Sequence, residues 1–268
     1  MLSKNNYLMT IQELFKQFRD NLQDEIDLLQ ANITQRIGQA IEFPKPTQKI
    51  KIYVDAGHGG NHPSTGAYMT NPRDGKRYIF VDAAGKELLD IREGVINRLI
   101  ANEFCNLLQK EGFAFQKLYH DYLDRSNTER CLIANQDYQI QKVKGVKCIL
   151  LSFHSNANGM IMKGIGDSAK GWSVWTTRGN TESDRFASIW FEKTKAMVGN
   201  QITYREDRSD GDADWEADFD ILFHSLMPAV LVENLFFTNY QDALILNSAE
   251  YQKKSAQVAL EAVKTFFN

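Results

Sequence analysis

Cysteine is scarce in this chain. Its 268 residues hold three, Cys105, Cys131 and Cys148, with no C-x-x-C pair. That excludes a structural zinc finger and argues against a disulfide framework. Free thiols fit synthesis in a reducing compartment. Positive charge is not in excess either. The formal balance is −3, and no stripe of Lys and Arg interleaved with aromatics marks a nucleic-acid surface, so no nucleic-acid partner is expected. No apolar run approaches the roughly 18 residues needed to span a bilayer. The first residues, MLSKNNYLMTIQELF, lack a basic start followed by an unbroken apolar block, so they read as no secretory signal and the chain as made in the cytoplasm. What remains is an ordinary globular composition, 43% hydrophobic and 24% charged. The length suits one large domain with an appendage, or two small ones.

Residues 9–41 read as one long helix. Apolar residues recur at Ile11, Phe15, Phe18, Leu22, Ile26, Leu29, Ile33, Ile37 and Ala40, an 11-residue period that keeps the stripe on one face. Packing on the rest of the chain, self-association and contact with another protein all fit it. Pro44 and Pro46 end the helix, which divides the chain into an N-terminal helical segment with linker, 1–48, and a second domain, 49–268. Within the second, strands are expected near 51–54, 114–118, 148–153, 171–176 and 229–233, with a hairpin around 78–89. Helices are expected from Glu93 or Gly94 to Glu111, from Ser126 or Thr128 onward, from Thr181–Asp184 as a capping box to Met197, and over about 248–267. Strands separated by helices predict an α/β fold: a single central mixed sheet flanked by helices on both faces, with the long N-terminal helix attached.

Four groups with chemistry arrive from separate elements. The stretch KIYVDAGHGG presents His58 on a glycine-rich turn at a strand's end, where open α/β sheets bind ligands. The strand CILLSF ends in His154, Glu93 opens a helix, and Glu233 ends AVLVE. Two imidazoles and one carboxylate would leave a tetrahedral zinc with an open fourth position for water, and a further carboxylate could take that water's proton. Taken singly, each has a plainer reading: a hydrogen-bonded core histidine, an acid favoured at a helix N-terminus, a buried ion-pair partner. His62 reads as a rim residue of the polar loop after His58 and His224 as on a strand before Pro228, neither as a ligand, and His120 has no partner in the pattern. The acidic run 207–220 lacks EF-hand spacing and reads as a solvated loop.

The segments VDAGHGG, REGVINRLIANEF, ERCLIAN, SFHSNA and PAVLVENLFFTN, in this order, resemble the zinc-dependent N-acetylmuramoyl-L-alanine amidases of the amidase-3 family, over roughly residues 51–268. The resemblance implies one zinc ion held by His58, Glu93 and His154, with Glu233 as the catalytic acid–base. It implies hydrolysis of the amide between N-acetylmuramic acid and the L-alanine of the stem peptide, with peptidoglycan or a muropeptide as partner and the cell wall as place of action. Without a secretory start, such an enzyme most resembles a phage or prophage lysis enzyme. A zinc peptidase cutting within the stem peptide and a silent wall-binding relative are the alternatives. DAGHGG lacks the proline many relatives carry, HSNA replaces H-A-N-A, and the long stretch between His58 and Glu93 predicts a different groove rim. Trp172 and Trp175 are read as groove or core residues, and Asp55, Arg130 and Asn135 as supporting ones. In some relatives an inserted segment covers the metal, a role open here to Glu206 or Asp214.

Overall fold

The computed structural model describes residues 49–70, 73–159 and 163–268. The helix expected over 9–41 and the linker 42–48 lie outside the described residues. From residue 50 the chain runs β1 (Ile50–Ala56), β2 (Arg77–Val81), β3 (Glu87–Arg92), α1 (Glu93–Lys110), β4 (Ala114–Lys117), α2 (Asn127–Val143) and β5 (Lys147–Asn156). It continues with β6 (Lys163–Gly164), β7 (Ser173–Thr176), α3 (Glu182–Val198), β8 (Trp215–Glu216), α4 (Asp220–Phe223), β9 (Ala229–Phe236), α5 (Tyr240–Leu246) and α6 (Ala249–Phe267).

Six strands form the main sheet in the order β4-β1-β5-β9-β7-β8. Neighbours from β4 to β9 pair in parallel, β7 runs antiparallel to β9, and β8 runs parallel to β7. The sheet is therefore mixed. Its central strands are near-continuous apolar runs, as strands buried on both faces must be. Alternation sorts their side chains. Ile52 and Val54, Ile149 and Leu151, and Val230 and Val232 join one core with residues of α1, α3 and α6. Tyr53, Leu150, Ala229 and Leu231 join a second core with α2 and α4. Helices thus cover both faces. Among the described residues, no helix is long and apolar enough to cross a membrane.

Local chemistry sets the helix starts. Ser126 with Glu129 and Thr181 with Asp184 form reciprocal capping boxes, satisfying backbone N–H groups that a first helical turn leaves unpaired. Ser248 caps α6. Arg92 offers α1 no side-chain cap, and the acid Glu93 sits in its first turn instead.

The expectation of a single sheet is corrected. A second, three-stranded sheet, β3-β2-β6, is built from the stretch between His58 and α1 together with Lys163–Gly164. The expected hairpin is its β2–β3 pair. Asp82 shapes the turn by accepting from the N–H groups of Ala84 and Lys86, both at 2.9 Å, and Phe80 packs on Tyr240. One further expectation changes, and one left open is resolved. His224 lies at the C-cap of α4, not on a strand. Trp172, only 1% exposed, packs against Trp190 and Phe191 and is a core residue. A tryptophan beside a strand reads alike as groove or core, and only its packing partners separate the two.

Candidate active site

The chain reverses direction across the sheet between β1 and β5: after β1 it passes to β4 on one side, then crosses to β5 on the other. In open α/β sheets the crevice at the carboxyl ends of two such strands is where ligands bind. His58 follows β1 at this point. His154 lies on β5 one residue beyond the Ala56–Phe153 pair, and on β9 the residue opposite it is Glu233. His154 and Glu233 continue the alternating rows Leu150–Ser152 and Ala229–Leu231, so both belong to the α2 side of the sheet. Glu93 enters from the other side, in the first turn of α1.

Three donors converge. His58 Nε2 stands 3.3 Å and His154 Nδ1 3.1 Å from Glu93 Oε1, and one ligand atom from each residue lies within 4.8 Å of the others. Three atoms each about 2.1 Å from a tetrahedral zinc lie about 3.4 Å apart. The two nitrogens therefore stand from the carboxylate oxygen almost as far as ligands of one ion do, and nitrogen with oxygen is a donor set zinc accepts. The residues fit the ion. Glu233 supplies no atom to this group; its Oε2 is buried without a hydrogen-bond partner.

The electrostatics follow from burial. Burial alone would raise the Glu93 carboxyl, but His58, His154 and Lys76 outweigh it and hold it well below the carboxylate range. Burial would lower His154, and the Glu93 carboxylate beside it raises it instead. Glu233 is pushed up to about 8, by burial first and then by the Glu93 charge, against the pull of His154 and Lys76. Lys76 Nζ reaches Glu93 Oε2 at 3.2 Å.

Two glycines are required by close approach. A methyl group on Gly57 would collide with the His154 ring, and one on Gly94 would meet the carbonyl oxygen of Gly59. His58 itself adopts a left-handed backbone, φ 65°, a conformation that costs a side-chain-bearing residue about 1–2 kcal/mol. Arg130, 1% exposed, holds the strained turn. It donates to Asp55 Oδ1 at 2.5 Å, to the Ala56 carbonyl at 2.6 Å and to the His58 carbonyl at 3.3 Å. Ser152 donates to the other Asp55 oxygen. From α1, Asn97 and Arg98 donate to the Gly57 carbonyl, and Asn97 also reaches Glu93 Oε1.

These contacts make Asp55 and Arg130 bracing residues of the turn. Asn135 instead ties α2 to the His224 carbonyl and the Leu226 N–H. His62 packs on Tyr122, and His120 accepts from the N–H groups of Tyr122 and Leu123. Trp175 packs on Trp215 and Phe219. Glu206 pairs with Arg208, and Asp214 bonds the Thr176 hydroxyl. The cleft over the donors, about 660 Å³, is walled instead by Asp218, Asp220, Lys76, Arg125, Asn127 and Leu231. Asn97, Arg98 and Lys76 were missed by sequence reading. Asn97 and Arg98 had a signal, since both interrupt the apolar stripe of α1; Lys76 had none.

The Amidase_3 family model, described as N-acetylmuramoyl-L-alanine amidase, matches residues 52–265. Among solved structures, the chain is similar to an N-acetylmuramoyl-L-alanine amidase from Clostridium difficile 630, at 22% identity and TM-score 0.57 over 81% of this chain and 96% of that one. It is similar also to the amidase AmiC2 of Nostoc punctiforme, at 19% identity and TM-score 0.58 over 82% and 97%. These are likenesses of fold. A curated relative, the uncharacterized protein YqiI of Bacillus subtilis strain 168, is 40% identical over 53 residues, 20% of this chain; the match spans about a quarter (26%) of that relative's length.

Proposed function

Since the chain belongs to the Amidase_3 family of N-acetylmuramoyl-L-alanine amidases, we propose that it hydrolyses peptidoglycan at the amide joining N-acetylmuramic acid to L-alanine, using one zinc ion held by His58, Glu93 and His154. The observation that carries this reading is the convergence of those three donors beside Glu233, whose carboxylate takes no part in the donor group.

When bound, zinc supplies a Lewis acid that polarises the scissile carbonyl and makes water nucleophilic near pH 7. The chain's own residues do the rest. Glu233 takes a proton from the attacking water at its free oxygen and returns it to the departing alanine nitrogen. The Glu233 carboxyl, at about 8 in the free chain, would ionise at lower pH beside a divalent charge. Glu93 favours a proton on His154, and His154 would have to release it to serve as a ligand. Arg130, Asn97 and Arg98 keep the His58 turn in its left-handed conformation while this happens.

The self-association proposed for residues 9–41 has its support in the apolar period alone. Removing 1–45 should lower the solution mass to that of a monomer.

Digestion of purified sacculi, with products identified by mass spectrometry, tests the main reading. The expected products are stem peptides with a free L-alanine amine and glycan without peptide, absent after chelation and restored by zinc. Cleavage between two amino acids of the stem would identify a peptidase. A zinc-replete protein that binds sacculi without releasing either product would be a silent binder.

A further inference from the structure

A second group of oxygen donors lies in the acidic segment, apart from the amidase residues. Asp184 belongs to the first turn of α3, and Asp212 and Asp214 to the loop leading into β8. One carboxylate oxygen from each lies within 4.8 Å of the others. Asp214 is 2% exposed. Its Oδ2 accepts from the Thr176 hydroxyl at 2.6 Å, while its Oδ1 is buried without a hydrogen-bond partner, as is Oδ1 of Asp212. The same Thr176 hydroxyl stands 3.2 Å from Asp184 Oδ1. Among the described residues no Lys, Arg or His forms an ion pair with any of the three.

Three carboxylates do not stay together unaided. At this separation and in a partly desolvated setting, like charges repel by several kcal/mol each, so the cluster must hold either a proton or a cation. Burial and the neighbouring Asp212 push Asp214 up to about 8, in keeping with that crowding. The donor chemistry then selects the ion. All the groups are hard oxygens, three carboxylates and a hydroxyl, with no nitrogen or sulfur, and two of the carboxylates come from an irregular loop. Calcium takes six to eight oxygens in flexible geometry, whereas magnesium demands a near-ideal octahedron and zinc prefers nitrogen and sulfur.

We infer that Asp184, Asp212 and Asp214 form a calcium site that clips the 205–216 loop to the end of β7 and the start of α3. The clip has a consequence for the amidase cleft. The clipped loop passes through β8 into Asp218 and Asp220, which line that cleft, so calcium fixes one of its walls.

The test is calcium titration of the full-length, zinc-loaded protein, read by equilibrium dialysis, melting temperature and tryptophan fluorescence. Trp215 directly follows Asp214 and packs on Trp175, so a change in emission reports the site. The expected result is saturable uptake of one calcium, a rise in Tm of about 5 °C at saturation and a shift in fluorescence. Asp212→Asn should abolish all three. The variant should also be no less stable than the parent in calcium-free buffer, because it removes a repulsive charge, and this verifies that it folds. No saturable uptake up to roughly 10 mM calcium, ten times the weakest ordinary extracellular sites, overturns the proposal and leaves a proton-sharing cluster. Uptake unchanged in Asp212→Asn, or stabilisation by magnesium and not calcium, overturns it equally.

Discussion

Glu233 keeps one carboxylate oxygen buried with no donor in reach, in a place that has raised its pKa to about 8. Such a group serves a reaction at the cost of the fold, and the two effects separate experimentally. In the reaction, Glu233→Gln removes the proton carrier but keeps the shape. Turnover should fall by about 10²–10⁴-fold while metal analysis still finds one zinc per chain; a zinc-replete, fully active variant would refute the role. In the metal-free fold the sign is opposite. The folded value lies above the ordinary 4.5, so the carboxyl favours the native state only while it stays protonated. Its contribution is intact below about pH 4.5 and is lost progressively as pH climbs to about 8. Unfolding curves in chelator should therefore coincide for parent and Glu233→Gln near pH 4 and diverge above it, with the variant more stable by pH 8.

At the scale of elements, one helix is joined to the active turn by a single side chain. Arg130 of α2 neutralises Asp55 at the end of β1 and holds the carbonyls of Ala56 and His58. Burial would raise Asp55, yet Arg130, His154 and Ser152 hold it below the carboxylate range. Arg130→Met strands that charge. It should cost about 3–5 kcal/mol in urea unfolding and weaken zinc affinity by releasing the His58 turn, which dialysis against a zinc buffer would read. The sequence displayed much of this level. Val54 and Leu151 sit in apolar runs that read as strands, Ser126 and Thr181 announce their helices through capping boxes, and His58 follows its strand as expected, whereas β5 runs on through His154 to Asn156. The second sheet was hidden because Lys163–Gly164 is too short to carry a pattern, and β2 becomes a central strand only through that distant pairing. Trp172 was undecidable for a related reason: an aromatic beside a strand looks the same in sequence whether a groove or a helix lies over it. The acidic loop read as solvated because Asp184, the residue that gives Asp212 and Asp214 a third partner, comes from α3.

Across the whole molecule, the family match begins at residue 52, and the cores, the candidate metal donors and Glu233 found among the described residues fall within 49–268. A protein restricted to those residues should fold cooperatively and keep activity on soluble muropeptides within about a factor of three, the ordinary scatter of context effects; circular dichroism and product release check it. A loss of folding would show that residues 1–48 contribute to the core. The parallel pairing of β1, β5 and β9 also bears on how the molecule comes into being. Each of those pairings closes a long loop before any contact repays the lost entropy, a topology that slows assembly. The three candidate donors, by contrast, are all in place in sequence before β9. A nascent polypeptide stopped short of β9 would carry both imidazoles and the Glu93 carboxylate and yet lack Glu233.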